Sequence, residues 1–278
     1  MKQNPSTKEY IVRPQKGLVF VDFRELWEFR DILLAFVTKN ISARYKQSLL
    51  GVTWVVLKPL INMAIFTVLF GKLAQFPSDG IPYPIFVFSG LLPWTYFSNA
   101  LGAGTSSLVG NSGLISKIYF PRVMLPISSN ISNLLDLGIS LLVLFVLMLF
   151  YKIQLQIMII FIPLLILALL LTALGPGLFF GALNVRYRDV GQIISFIIQA
   201  WMYLTPVLYP VSLIPEQYRL WAYLNPMTGI TDAFRACMLG HTQVNALGLM
   251  ISLTMSTVIL ISGLMYFKKT ERTFADII

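Results

Sequence analysis

The sequence predicts an all-α integral membrane protein with about six transmembrane helices, and three observations carry that reading. First, 56% of the 278 residues are hydrophobic and only 12% are charged, against roughly 45–50% and roughly 25% in an ordinary soluble domain. The mean hydropathy is +0.75. Second, residues 52–70, 85–109, 139–150 with a polar lead-in, 157–183, 190–208 and 247–267 run with almost no ionisable group. Such runs suit helices crossing a hydrocarbon layer about 30 Å thick. A transmembrane barrel would need segments of about 10 residues with strict alternation, and these runs are solidly apolar. Third, the basic residues are clustered along the chain.

That clustering sets the expected topology. Nine Lys and Arg, from Lys2 to Lys46, precede the first run; Lys117 and Arg122 follow the second, Arg186 and Arg188 the fourth, and Lys268, Lys269 and Arg272 close the chain. The other loops hold only Lys72, Lys152, Arg219 and Arg235. Basic loops stay cytoplasmic, so both termini, the 110–123 loop and the 184–190 loop are expected there, and the number of spans is even. The net charge of +9 therefore reports membrane topology, and nucleic-acid binding is excluded by the spans. The polar, mixed-charge first 50 residues fit no cleavable signal. One cysteine, Cys237, and one histidine, His241, leave no internal disulfide and no His-based metal cluster to expect.

Taken in order, residues 1–23 read as an irregular cytoplasmic lead broken by Pro5, Pro14 and Gly17. Residues 24–47 form an amphipathic interface helix, with Leu26, Phe29, Leu33, Phe36 and Val37 on one face and Arg24, Glu28, Asp31 and Lys39 on the other. The six-span domain occupies 48–278. Its first span carries Lys58-Pro59, where the lysine stem can snorkel and the proline can kink the helix. A short external turn with Pro77, Pro82 and Pro84 leads to a second span containing Pro93-Trp94.

The cytoplasmic segment 111–120 has room for two or three helical turns. In the third span Ser129, Ser132, Asn133, Asp136 and Ser140 fall on one stripe at 100° per residue. Two readings are open, a helix–helix interface or the wall of a hydrated path. Asp136 should face protein or water, with a basic or amide partner on a neighbouring helix. Gly175-Pro176-Gly177 and Gly181 allow close helix approach. Residues 206–240, with Pro206, Pro210, Pro215 and Pro226 among aromatics, are too broken for a span and too apolar for a solvated loop. They read as short external helices re-entering the outer leaflet under cover of protein. Residues 268–278 form a cytoplasmic tail.

Catalytic patterns are missing: no phosphate-binding Gly-x-x-x-x-Gly-Lys, no His-x-x-x-His, no Gly-x-Ser-x-Gly and no paired carboxylates on one helix face. The chain is expected to have no catalytic centre, no metal and no cofactor of its own, and to move something with energy supplied elsewhere. Aromatics are the positive signal, with 20 Phe, 12 Tyr and 5 Trp. They fit either an interfacial belt or stacking steps for sugars.

The motifs Arg44-Tyr45-Lys46-Gln47-Ser48-Leu49-Leu50-Gly51-Val52-Thr53-Trp54, Ser89-Gly90-Leu91-Leu92-Pro93-Trp94, Lys117-Ile118-Tyr119-Phe120-Pro121-Arg122 and Asn184-Val185-Arg186-Tyr187-Arg188-Asp189 occur in this order. Thr205-Pro206-Val207, Leu224-Asn225-Pro226-Met227 and Glu271-Arg272-Thr273-Phe274-Ala275-Asp276 follow. From about residue 24 to the end the chain resembles the Wzm-type permease of ABC transporters that export O-antigen, capsular or related polysaccharides. The resemblance implies a homodimer above two copies of a separate P-loop ATPase, which binds the ATP and Mg²⁺, in a bacterial inner membrane.

By the same carry-over, 111–120 looks like the coupling helix, with Leu114, Ile115, Lys117, Ile118, Tyr119 and Phe120 as contacts and Arg186, Arg188 and Asp189 as a second contact. Residues 206–239 resemble paired gate helices, making Tyr209, Tyr218, Trp221 and Tyr223 gate aromatics. A channel between the two copies would draw on Phe88, Trp94, Tyr96, Phe97, Trp201 and Tyr203. Arg44, Lys46 and Lys58 lie where they could attract the pyrophosphate of a lipid-linked glycan, with snorkelling as the alternative account. A teichoic-acid exporter and a small-molecule or drug efflux permease are the competing readings.

Overall fold

The computed structural model describes residues 23–46, 51–240 and 243–277. The lead through residue 22, the Gln47-Ser48-Leu49-Leu50 part of the first motif, and His241 lie outside the described residues. The described residues form helices α1 (Phe23–Glu28), α2 (Arg30–Tyr45), α3 (Thr53–Phe66), α4 (Tyr83–Ser107), α5 (Ser112–Ile115), α6 (Met124–Phe150) and α7 (Ile162–Arg186). They continue through α8 (Val190–Leu204), α9 (Glu216–Ala222), α10 (Pro226–Leu239), α11 (Ala246–Thr270) and α12 (Phe274–Ile277). No strand occurs among the described residues.

Four stretches, Thr53–Leu73, Met124–Phe150, Ile157–Arg186 and Ala246–Thr273, are long and apolar enough to cross a membrane. Of the two other expected spans, α4 has the length, 25 residues, but a more polar composition. The cause is its position: α6, α7, α10 and α3 pack around it, and Ser89, Gly90, Pro93, Gly104 and Thr105 are all buried against protein. A helix sheathed by other helices need not be apolar to lipid. The other, α8, ends at Leu204 after 15 residues, short of the expected 208. At about 1.5 Å per residue it falls below a hydrocarbon thickness of about 30 Å.

The interface segment is two helices, broken at Phe29, where the expectation was one. Of its apolar face, Leu26, Phe29, Leu33 and Phe36 pack into a cluster with Ile115, Phe120, Leu125, Phe267 and Phe274, which joins α1, α2 and the last helices to the 111–120 loop, and Val37 is buried outside that cluster. Pro59 stands inside α3, and the helix continues as a π-helix over Thr67–Leu73. Only 6% of the apolar window of this first span is buried, so α3 is the most lightly held of the four long spans.

α7 and α11 make the most extensive packing in the molecule. They meet backbone to backbone: a Cβ on Gly175 would stand 2.7 Å from the Leu260 Cα, and one on Gly263 would collide with the Gly175 carbonyl. Gly181 similarly lies against the Gly104 carbonyl of α4, at 3.0 Å from where its Cβ would be. In the 206–240 region α9 is an exposed short helix, whereas α10 is buried almost throughout. Its N-terminus is capped by Asn225, whose side chain accepts from the Met227 N–H at 3.1 Å. Its C-terminus closes on Gly240 at φ 68°, in the left-handed region that suits glycine.

Candidate functional site

At the end of the molecule where α2, the tail and the foot of α7 converge, the 111–120 segment is a single helical turn, α5, followed by an irregular stretch. Its side chains divide. Ile115 and Phe120 turn inward, with the Phe120 ring 5.2 Å from that of Phe36, and Leu114 is half-buried. Lys117, Ile118 and Tyr119 point out, the last two 55% exposed.

The loop is tied on both sides. On one, Tyr119 donates to Glu25 at 3.1 Å and its ring meets Phe29 edge-on, while the Lys39 ammonium donates to the Asn111 side-chain oxygen Oδ1 at 2.7 Å. Burial, then the Glu25 carboxylate, raises the Tyr119 phenol above its ordinary range. On the other side Glu271 accepts the Arg122 backbone N–H at 3.2 Å and pairs with Lys268 at 2.8 Å, and the Arg122 guanidinium donates to the Glu271 carbonyl.

Arg186, Arg188 and Asp189 form an exposed turn between α7 and α8. Asn184 anchors it, accepting the Gly191 N–H at 3.1 Å and donating to the Thr105 carbonyl at 3.1 Å.

A cleft of about 570 Å³ opens between α2, α3, α4 and α6. Of the stripe on α6, Asn133, Asp136 and Ser140 line it. The partner expected for Asp136 is Arg44, at 2.8 Å, with the second guanidinium nitrogen 3.3 Å from the Ser132 hydroxyl; it comes from the interface helix, not from another span. The Tyr45 hydroxyl also donates to Asp136. Burial and then Asp136 push the Tyr45 phenol up to about 12, so it remains a donor. Ser129 lies outside the cleft, buried, with its hydroxyl donating to the Leu125 carbonyl. Lys58 lines the cleft, 5.8 Å from the Trp54 ring centre. Lys46 is exposed and is not part of it.

The aromatics divide by burial. Phe88, Trp94 and Phe97 are buried in the chain's own core, because α4 is wrapped by neighbouring helices. Tyr96 is buried too, though it reaches the cleft, and its hydroxyl donates to the Asn130 side chain at 3.1 Å. Trp201 is half-buried and donates to Asn225 at 3.0 Å, while Tyr203 is exposed. Among the expected gate aromatics Tyr218 and Trp221 are exposed and Tyr209 is half-buried, donating to the Tyr203 carbonyl at 3.2 Å. Tyr223 is a core anchor, pressed on Gly248 and donating to Asp232 at 3.0 Å.

The sequence profile of the ABC-2 type transporter family matches residues 32–239. The chain belongs to the ABC-2 type transporter family. It is 33% identical over 256 residues to the O-antigen export system permease protein RfbA of Myxococcus xanthus, covering 91% of this chain and 97% of that protein. With RfbA of Klebsiella pneumoniae it shares 28% over 251 residues, covering 89% and 95%. With the polysialic acid transport protein KpsM of Escherichia coli it shares 24% over 249 residues, covering 85% and 92%.

For an ABC-2 transporter chain with several membrane-crossing helices, the loop and the cleft are the two constellations that the fold assembles. Sequence reasoning did not single out Tyr45, Trp54, Asn99, Glu25 or Glu271 as site residues. Tyr45, Trp54 and Glu271 stood inside quoted motifs; Glu25 and Asn99 carried no pattern of their own.

Proposed function

We propose that this chain is the permease subunit of an ABC exporter that moves a lipid-linked polysaccharide, of O-antigen or capsule type, from the cytoplasmic side across the bacterial inner membrane. The observation that carries this reading is similarity along nearly the whole chain to proteins named for O-antigen export and polysialic acid transport. Two copies form the membrane unit, and two copies of a P-loop ATPase bind ATP and Mg²⁺ beneath it; the permease has no ATPase of its own. Both termini are cytoplasmic.

The division of the 111–120 loop supports a coupling role. An outward Ile118 and Tyr119 offer a partner an apolar and an amphipathic contact, while an inward Ile115 and Phe120 root the loop among α2, α6, α7 and α11. A push on the tip is then delivered to packed helices and not lost in a flexible loop. The Arg186 to Asp189 turn, held by Asn184 against α4, is a second contact of the same kind. The cleft sets the charged side chains of Arg44, Lys58 and Asp136 among apolar Trp54, Val55, Leu92 and Leu137, a lining that suits an amphiphile carrying a phosphate.

The test is ATP hydrolysis by the purified complex with and without a polyprenyl-diphosphate-linked glycan. Stimulation by the glycan, lost in Tyr119→Ala, is the expected result. Stimulation by small amphiphiles and not by any lipid-linked glycan would replace this reading with efflux.

A further inference from the structure

The cleft holds more positive charge than its own walls neutralise. Arg44 and Lys58 face one carboxylate, Asp136, which leaves a net charge of +1 from these three side chains. Asp136 is committed to Arg44 and Tyr45. Lys58 makes no ion pair among the described residues and lies beside an aromatic ring at 5.8 Å. A guanidinium carries five N–H groups; Asp136, Ser132 and the Tyr45 hydroxyl engage three of them, which leaves the rest of the Arg44 edge for another acceptor. Asn99 adds an amide to the wall, whereas the Asn133 amide nitrogen already donates to the Ser129 carbonyl at 2.7 Å. Two cations with spare N–H groups, beside an amide and an aromatic, are the groups that an oxyanion entering the cleft would meet. In a bilayer, ionisable side chains kept inside a polar cavity mark a ligand path.

We propose that the cleft binds the phosphate group of a lipid-borne substrate, with Lys58 and the free edge of Arg44 as its ligands and Asp136 as the counter-ion that holds Arg44 when the cleft is empty. This deepens the export reading and rests on it. The ligand also competes with Asp136 for Arg44, and that competition reaches the loop. Arg44 lies in the last turn of α2, and the same helix carries Phe36 against Phe120 and Lys39 against Asn111. Drawing Arg44 off Asp136 loosens the end of α2 that faces the cleft, so occupancy is reported to the segment proposed to meet the ATPase.

The experiment measures saturable binding of a labelled polyprenyl diphosphate to the complex with its ATPase partner, in phosphatidylcholine nanodiscs, with the nucleotide sites filled by ADP. Lys58→Gln is expected to weaken binding about tenfold, the effect of one charge-assisted contact, and Lys58→Arg to restore most of it. Asp136→Asn is expected to bind at least as tightly as wild type, because it frees Arg44. Lys72→Gln, beyond the cleft at the far end of the first span, should leave affinity unchanged.

Two comparison ligands identify the source of the phosphate. Binding of inorganic pyrophosphate as tight as the lipid's would overturn the lipid assignment, and equal binding of the unphosphorylated polyprenol would overturn the phosphate. Affinity equal in Lys58→Gln and wild type, or a loss in Asp136→Asn as large as in Lys58→Gln, sinks the site. Glycan-stimulated ATP hydrolysis in the same preparation keeps the readings apart. Stimulation with Lys58-independent binding removes only the cleft assignment; Lys58-dependent binding with no stimulation by glycan removes only the export reading.

Discussion

The guanidinium of Arg235 lies over the ring of Phe86, 3.8 Å from its centre. From there it donates to the carbonyls of Pro206 and Val207 at 3.3 and 3.0 Å, stitching α10 to α4 and to the segment that leaves α8. Arg235→Met keeps much of the bulk and leaves both carbonyls without their donor, at about 1–3 kcal/mol for each if water cannot reach it. A lower unfolding temperature in detergent is expected, and Arg235→Lys should recover only part, since an ammonium lacks the planar fork. An unfolding temperature unchanged in Arg235→Met would mean that the carbonyls find other donors.

The α7–α11 contact gives a second prediction. Gly175→Ala must push its methyl group into the Leu260 backbone, where no side-chain rotation relieves it. A loss of about 1–3 kcal/mol is expected, seen as reduced thermal stability. Gly102→Ala, with nothing within 4 Å of the new methyl, is the matched neutral substitution.

Glu271 offers a test of the tail. In Glu271→Ala the Arg122 backbone N–H and the Lys268 ammonium both lose their acceptor, while Phe274 stays packed on Phe267. The loop should loosen without the fold being lost. Glycan exported per ATP hydrolysed in proteoliposomes should fall severalfold, with the unfolding temperature shifted much less. A parallel fall in both would mark Glu271 as a stability residue only.

Tyr119 bears on pH. Its phenol binds Glu25 only when protonated, and its pKa is raised by burial and by that carboxylate. The contact is therefore complete below the ordinary tyrosine value and is lost only as pH rises through the higher folded one. Between about pH 7 and pH 9, the ratio of coupling in Tyr119→Phe to that in wild type should stay constant. A ratio that drifts over this interval would show the phenol ionising early.

Much of the architecture was legible because it rests on periodicity and solvent. Lipid-facing helices such as α6 and α7 must be apolar, and the α2 stripe of Leu33, Phe36 and Val37 had to find cover. Asp136 was also readable as a carboxylate in need of a basic partner. The residue that answers it was not, since Arg44 is far away in sequence and looked like a headgroup contact. The surroundings of the α4 aromatics were not legible for a related reason: Phe88, Trp94 and Phe97 have the composition of a channel wall or an interfacial belt, and only the packing of α6, α7 and α10 around α4 puts them in the core. Tyr223 looked like its neighbours Tyr218 and Trp221 until Gly248 was seen beneath it.

The light grip on α3 separates two kinds of sequence constraint. Ile61, Ile65 and Val68 are exposed on the protomer, so their identity is answerable to whatever lies alongside, lipid or a second copy, and hardly to the folding of their own chain. Variation along that face would alter how the folded chain is matched to its surroundings while it remained internally sound. By contrast, a change at Gly175 strikes the packing of the chain against itself.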